Sequence, residues 1–196
     1  MGMPDQVAPA AADVTDPSVS SAAGGPVPDV RQPDTEPDPH HVARQIVLRQ
    51  LAMAPRSRAE LMQKLAKRGC AVDVATTVLD RMTEVGLVDD EAYAQMLVRS
   101  QQAGRGLAKR ALARELRTKG IEDHLADQAL ATISDADERD RARALVAKKL
   151  RAMHGLGIEV QTRRLAGMLA RKGYPSGVSY AVIRDAIADA PEHLPD

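Results

Sequence analysis

Few residues in this chain are of types, and at spacings, that could do chemistry. Gly104-Arg105-Gly106 is glycine-dense and precedes a helix-forming run, where a phosphate-cradling loop would sit. No Gly-Lys-Ser/Thr follows it, so the residues that would hold a nucleotide's phosphates and magnesium are missing. A flexible link between helices accounts for the glycines. Asp89-Asp90-Glu91 groups three carboxylates, and capping of a helix start explains them without catalysis. His40 and His41 are adjacent near the N-terminus, while His124, His154 and His193 stand apart, so none forms a metal-ligand set on one helix face. Cys70 is the single cysteine, which excludes an intramolecular disulfide and any Cys-x-x-Cys site. Behind a helix-ending glycine it serves as a small apolar residue. The expectation is a non-enzymatic protein with no catalytic residue, no metal and no cofactor.

Positive charge is what remains, and the net value hides it. Lys+Arg and Asp+Glu both number 27. Residues 1–40 sum to −6 and hold eight of the twelve prolines, with almost nothing bulky and apolar, so they are expected to be a disordered acidic lead. Residues 41–196 then carry +6. Within 99–119, Arg99, Arg105, Lys109, Arg110, Arg114, Arg117 and Lys119 face a single acid, Glu115. Arg110, Arg114 and Arg117 fall at i, i+4 and i+7, one stripe on a helix. Residues 139–172 hold ten basic residues against Asp140 and Glu159; Arg163 and Arg164 open a helical run that Arg171 and Lys172 close. Any one of these could be only a solvated cation facing a helix dipole. As clusters they point to an acidic or polyanionic partner. Phe and Trp are absent and Tyr93, Tyr174 and Tyr180 are the only aromatics, which argues against aromatic base-stacking platforms.

The elements that carry these charges are read from a repeat. Glu60–Gly69, Ala111–Gly120 and Arg164–Gly173 align, each with leucines eight and four residues before a glycine and a cation just before it. The leucine pairs are Leu61/Leu65, Leu112/Leu116 and Leu165/Leu169. Lys or Arg followed by Gly is the expected end of a helix. Ser57-x-x-Glu60 is a capping box that starts the first. Beyond each glycine, apolar residues recur at helical spacing, such as Val74, Val78 and Leu79 or Val182, Ile183 and Ile187. A further amphipathic helix precedes each pair, near 42–53, 90–103 and 136–152. No stretch shows sustained strand-like alternation. The expected architecture is all-α: three tandem three-helix repeats over 41–89, 90–134 and 135–190, forming an elongated curved body with a short tail at 191–196. No apolar run approaches 18 residues and the first 25 lack a secretory pattern, so a soluble cytoplasmic protein is expected.

Four motifs carry a family resemblance: SRAELMQKLAKRG (57–69), GLVDDEAYAQMLVRS (86–100), LAKRALARELRTKGI (107–121) and RRLAGMLARKGY (163–174). In this order and spacing they resemble the RecX family, regulators of the RecA recombinase, over about 41–190. The resemblance implies three repeats of three helices. It also implies an inhibitor, monomeric and away from membranes, that docks on the RecA–single-stranded-DNA filament. There it would lower ATP hydrolysis and strand exchange, and with them recombination and the SOS response. The basic residues above would contact the filament or DNA phosphate. The acidic lead lies outside the family pattern. The competing reading is a sequence-tolerant helix-turn-helix DNA-binding protein that acts without RecA. Against base reading, the helix after Gly120 begins Ile-Glu-Asp-His-Leu-Ala-Asp, a poor surface for a major groove.

Overall fold

The computed structural model describes residues 38–189, and the structural statements that follow concern these. The lead up to residue 37 and the stretch 190–196, with His193, lie outside them. The described chain is all-α, with nine helices and no strand among its residues. They are α1 (Pro39–Met53), α2 (Arg58–Ala66), α3 (Val72–Glu84), α4 (Asp90–Arg105), α5 (Lys109–Thr118), α6 (Asp123–Ala131), α7 (Asp135–Arg151), α8 (Ile158–Arg171) and α9 (Ser176–Ala188). One boundary differs from the sequence reading. Pro39 and His40, assigned to the acidic lead, form the first turn of α1. Asp38 caps that turn by accepting from the His40 N–H at 3.1 Å, and a proline at the first helical position lacks only an N–H that would be unpaired anyway.

Each triplet buries its own core. Val47, Leu61, Leu65 and Leu79 are fully buried in the first unit, Leu112 and Leu116 in the second, and Val146, Leu165, Leu169 and Ile183 in the third. The leucine pairs of the repeat are thus the inward stripe of α2, α5 and α8. In every unit the first helix packs on the third and the middle helix closes the triangle. Truncating one of these leucines to alanine costs about 2–5 kcal/mol. Extensive helix packing stays inside the units, so the contact between successive units is narrow.

That contact is made twice by the same device. The Lys–Gly end of one unit's middle helix sits on the N-terminus of the preceding unit's middle helix. At the first joint the Ser57 hydroxyl donates to the Lys119 carbonyl at 2.6 Å, and a Cβ on Gly120 would collide with the Ala59 Cβ. At the second, the Ala108 N–H donates to the Lys172 carbonyl at 2.9 Å, and a Cβ on Gly173 would lie 2.6 Å from the Ala111 nitrogen. A carboxylate of the later unit then takes the first free N–H of the earlier helix. Asp90 accepts from Arg58 N–H and Glu138 from Lys109 N–H, both at 2.8 Å. Those N–H groups have no partner within their own helices. The acidic triplet 89–91 therefore divides its labour: Asp89 caps its own helix through Ala92 N–H, while Asp90 caps α2.

Gly69, Gly120 and Gly173 share one repeat position and the left-handed conformation, at φ of 75, 71 and 89°. Only the last two are pressed against a neighbouring unit; a Cβ on Gly69 meets nothing within 4 Å. Gly69→Ala should therefore cost about 1 kcal/mol of backbone strain. Gly173→Ala adds a clash with backbone, and should cost roughly 2 kcal/mol more. Chemical denaturation of the two variants checks this, and equal losses would show that the joint is not tight.

Candidate functional site

The joints sort the basic residues into those held in structure and those left facing outward. Lys119 Nζ pairs with Glu60 at 2.7 Å across the first joint. Glu60 is also the acid of the realised capping box and accepts from the Tyr93 hydroxyl at 3.1 Å. At the second joint Lys109 Nζ pairs with Asp135 at 3.0 Å, Lys172 Nζ donates to the Arg105 carbonyl, and Arg105 pairs with Glu115. Tyr174 donates to the Gly106 carbonyl at 3.2 Å. Burial, with the Glu138 charge nearby, pushes that phenol up to about 12, so it stays a donor. Lys109, Lys119 and Lys172 thus act first as fasteners between units, while the Arg105 guanidinium is held by Glu115 within the second unit. Arg117, the third member of the expected stripe, makes an exposed pair with Asp123 at 3.5 Å.

Arg110 and Arg114 are placed differently. They form one wall of a cleft of about 510 Å³ whose floor is α8, at Ala166, Gly167 and Ala170, and whose far side is the first turn of α9. Neither has a carboxylate within ion-pair distance among the described residues, and no residue lining the cleft is acidic. The small residues of α8 give the cleft its room. Gly167 is an ordinary helical glycine, a choice that weakens a helix by about 1 kcal/mol relative to alanine. A Cβ there would reach only the flexible end of Arg171, 3.3 Å away. Helical spacing puts Arg163 one turn before Gly167 on the same face, with Arg171 one turn after it. Arg164 and Arg99 are exposed, outside the cleft lining.

A second basic surface lies on the other flank of α8. A cleft of about 580 Å³ brings Arg141, Lys148 and Lys149 of α7 beside Arg105 and Lys172, again without an acid in its lining. The cationic surplus of 139–172 signalled this surface. Spacing alone did not single out the three α7 residues, because their partners come from α4 and α8. Among the described residues, no cluster of His, Cys, Asp and Glu could hold a metal, and no helix is long and apolar enough to cross a membrane. The arrangement fits the binding of an extended anionic surface by unneutralised arginines.

Comparison with known proteins follows the same three-unit division. Models described as the first, second and third three-helix domains of RecX match residues 43–82, 89–130 and 136–183. A Streptomyces coelicolor protein named regulatory protein RecX is 48% identical over 182 residues, covering 90% of this chain and 97% of the relative. Its namesake from Mycolicibacterium smegmatis is 45% identical over 170 residues, covering 85% and 90%. Among solved structures, the crystal structure of RecX from Lactobacillus salivarius has the same fold, with a TM-score of 0.68 at 20% identity, covering 76% of this chain and 97% of that one.

The first joint should have a pH signature. Burial works to raise the Glu60 carboxyl, but hydrogen bonds from Lys119, the Ser57 N–H and Tyr93 outweigh it, holding the group below its ordinary 4.5. A lowered folded-state value stabilises above the ordinary range, and the stability goes as pH falls through the folded value. Glu60→Gln should therefore lower the melting temperature at pH 7, with the difference from wild type shrinking below about pH 4.5. Asp90 has the opposite sign: burial raises it, against the opposing Arg58 N–H and charge. Asp90→Asn keeps an acceptor and should hold or raise the melting temperature at pH 7, whereas Asp90→Ala should lower it. A pH series of thermal melts checks both signs.

Proposed function

The chain belongs to the RecX family of regulatory proteins, and from that membership we propose that it is a negative regulator of RecA. It binds the RecA–single-stranded-DNA filament and slows ATP hydrolysis and strand exchange. The observation that carries the reading is the pair Arg110 and Arg114, free of carboxylate partners in an acid-free cleft between the second and third units. Leaving two guanidinium groups together without neutralisation raises local repulsion, a cost that an anionic partner relieves. The α7–α8 surface adds Arg141, Lys148 and Lys149 on the opposite flank of α8, so the third unit offers cations on two sides. A surface of this kind suits a partner that presents phosphates and acidic side chains together, as a nucleoprotein filament does. No chemistry is needed from the chain: it acts by occupying the filament and opposing the movements that turnover requires. A protein that binds naked DNA with equal strength and ignores RecA is the competing outcome.

The test is the single-stranded-DNA-dependent ATPase of RecA with the chain added. Wild type should inhibit at stoichiometric levels. The double reversal Arg110→Glu and Arg114→Glu should raise the half-inhibiting concentration about tenfold or more, with an unchanged melting temperature. Arg117→Glu should change it far less, since that guanidinium already has Asp123. No inhibition by wild type would overturn the proposed function; equal inhibition by the double reversal would remove the cleft from it.

A further inference from the structure

We propose that the α5–α8–α9 cleft binds one nucleotide of single-stranded DNA, its phosphate between Arg110, Arg114 and the start of α9, its base stacked on Tyr180. This deepens the reading above, and rests on it only for the filament as the source of the strand. Three features of the cleft converge on that ligand. First, Ser179 lines the cleft and is 4% exposed, and its hydroxyl, sealed from water within that wall, has no hydrogen-bond partner. Buried hydroxyls are nearly always paired, so an orphan in the wall that also carries two arginines is a donor that an acceptor in the cleft would satisfy once the Ser179 rotamer turns outward.

Second, the start of α9 is open. Pro175 stands at the capping position and brings no side-chain acceptor, and the first turn holds no acid. The first intrahelical bond is from Ser179 N–H to the Pro175 carbonyl, so the N–H groups of Ser176, Gly177 and Val178 precede the ladder. With Ser176 in the lining, this 13-residue helix turns its positive end toward the cleft. Guanidinium forks and a helix N-terminus lining one cleft are the donor set of a phosphate group.

Third, Tyr180 shares the lining and is 59% exposed, whereas Tyr93 and Tyr174 are buried. A phenol ring standing in water in the same lining as a phosphate site offers a stacking face to that nucleotide's base. A base within a duplex is already stacked on both faces and paired along its edge, so the exposed ring favours a single strand. The cleft's volume is that of an ordinary small-ligand site, with room for a nucleotide. The shortage of aromatics read from the sequence argues against a multi-base stacking platform; it leaves room for a single stacked base.

The chain has no tryptophan, so its intrinsic emission comes from Tyr93, Tyr174 and Tyr180, and of these only Tyr180 stands exposed to a stacked base, so Tyr180→Leu isolates its share. Titrating the full chain with a short oligothymidylate should quench that emission. Tyr180→Leu should abolish the quench and weaken binding, read by anisotropy of a labelled oligonucleotide, roughly tenfold, whereas Tyr180→Phe should keep the affinity. Ser179→Ala should weaken binding while leaving the melting temperature unchanged or higher. Gly167→Leu, which fills the cleft from α8 without removing a charge, should do the same. Wild-type oligonucleotide affinity in Tyr180→Leu and Ser179→Ala, or equal quenching by a duplex of the same length, would overturn the proposal. So would cleft variants that lose RecA inhibition yet bind the oligonucleotide normally, since the cleft would then hold an acidic protein surface. Cleft-dependent oligonucleotide binding without any effect on RecA would uphold this inference and overturn only the regulatory reading.

Discussion

Two glycines, Gly120 and Gly173, let helix ends come closer to a neighbouring unit than any side chain would allow, and the arrangement of the units depends on that approach. Each unit has a small separate core, and the units share little apolar surface. Ala108 is an exception: it belongs to the second unit by sequence and is buried in the core of the third. The joints are otherwise polar. Lysine carbonyls at helix C-termini, and carboxylates meeting N–H groups at helix N-termini, satisfy the backbone groups that two helix ends would leave unpaired. Because such bonds are directional, they fix register between units more strongly than they add stability.

The same joints decide which cations are free. A lysine preceding each joint glycine is drawn onto the neighbouring unit, to Glu60 in one case and to the Arg105 carbonyl in the other. Arg105 and Lys109 are likewise occupied by Glu115 and Asp135. What these fasteners leave over is concentrated around α8: Arg110 and Arg114 on one side, Arg141, Lys148 and Lys149 on the other. Small residues on α8 keep the first cleft open, at some expense in helix propensity at Gly167. The positive surface is therefore a residue of how the units are joined, and its position follows from the helix ends.

Much of the fold was legible in the sequence. The leucine pairs before each glycine, the capping box at Ser57 and the apolar recurrence after the glycine all report interactions within one helix or between neighbours in the chain. The joints were not legible, because Ser57 meets Lys119 and Arg58 meets Asp90 across separations with no fixed period. That is why Asp90 read as a cap for its own helix when it caps another. Arg110, Arg114 and Arg117 share α5 at the spacing read from the sequence, but that spacing could not show that Asp123 on the next helix pairs with the third of them. Exposure of Tyr180, and the orphaned hydroxyl of Ser179 beside it, depend on how α9 meets α5 and α8. Composition could count three tyrosines but could not say which one stands in water.

The central claim is that the cleft on α8 is the surface the filament meets. The most direct measurement places a photo-crosslinking side chain at Gly167, in the cleft floor, and at Asp127, exposed on α6 as a control, and irradiates each with RecA assembled on single-stranded DNA. Covalent adducts to the filament are expected from position 167, with few or none from position 127. Adducts from 127 with none from 167 would contradict it.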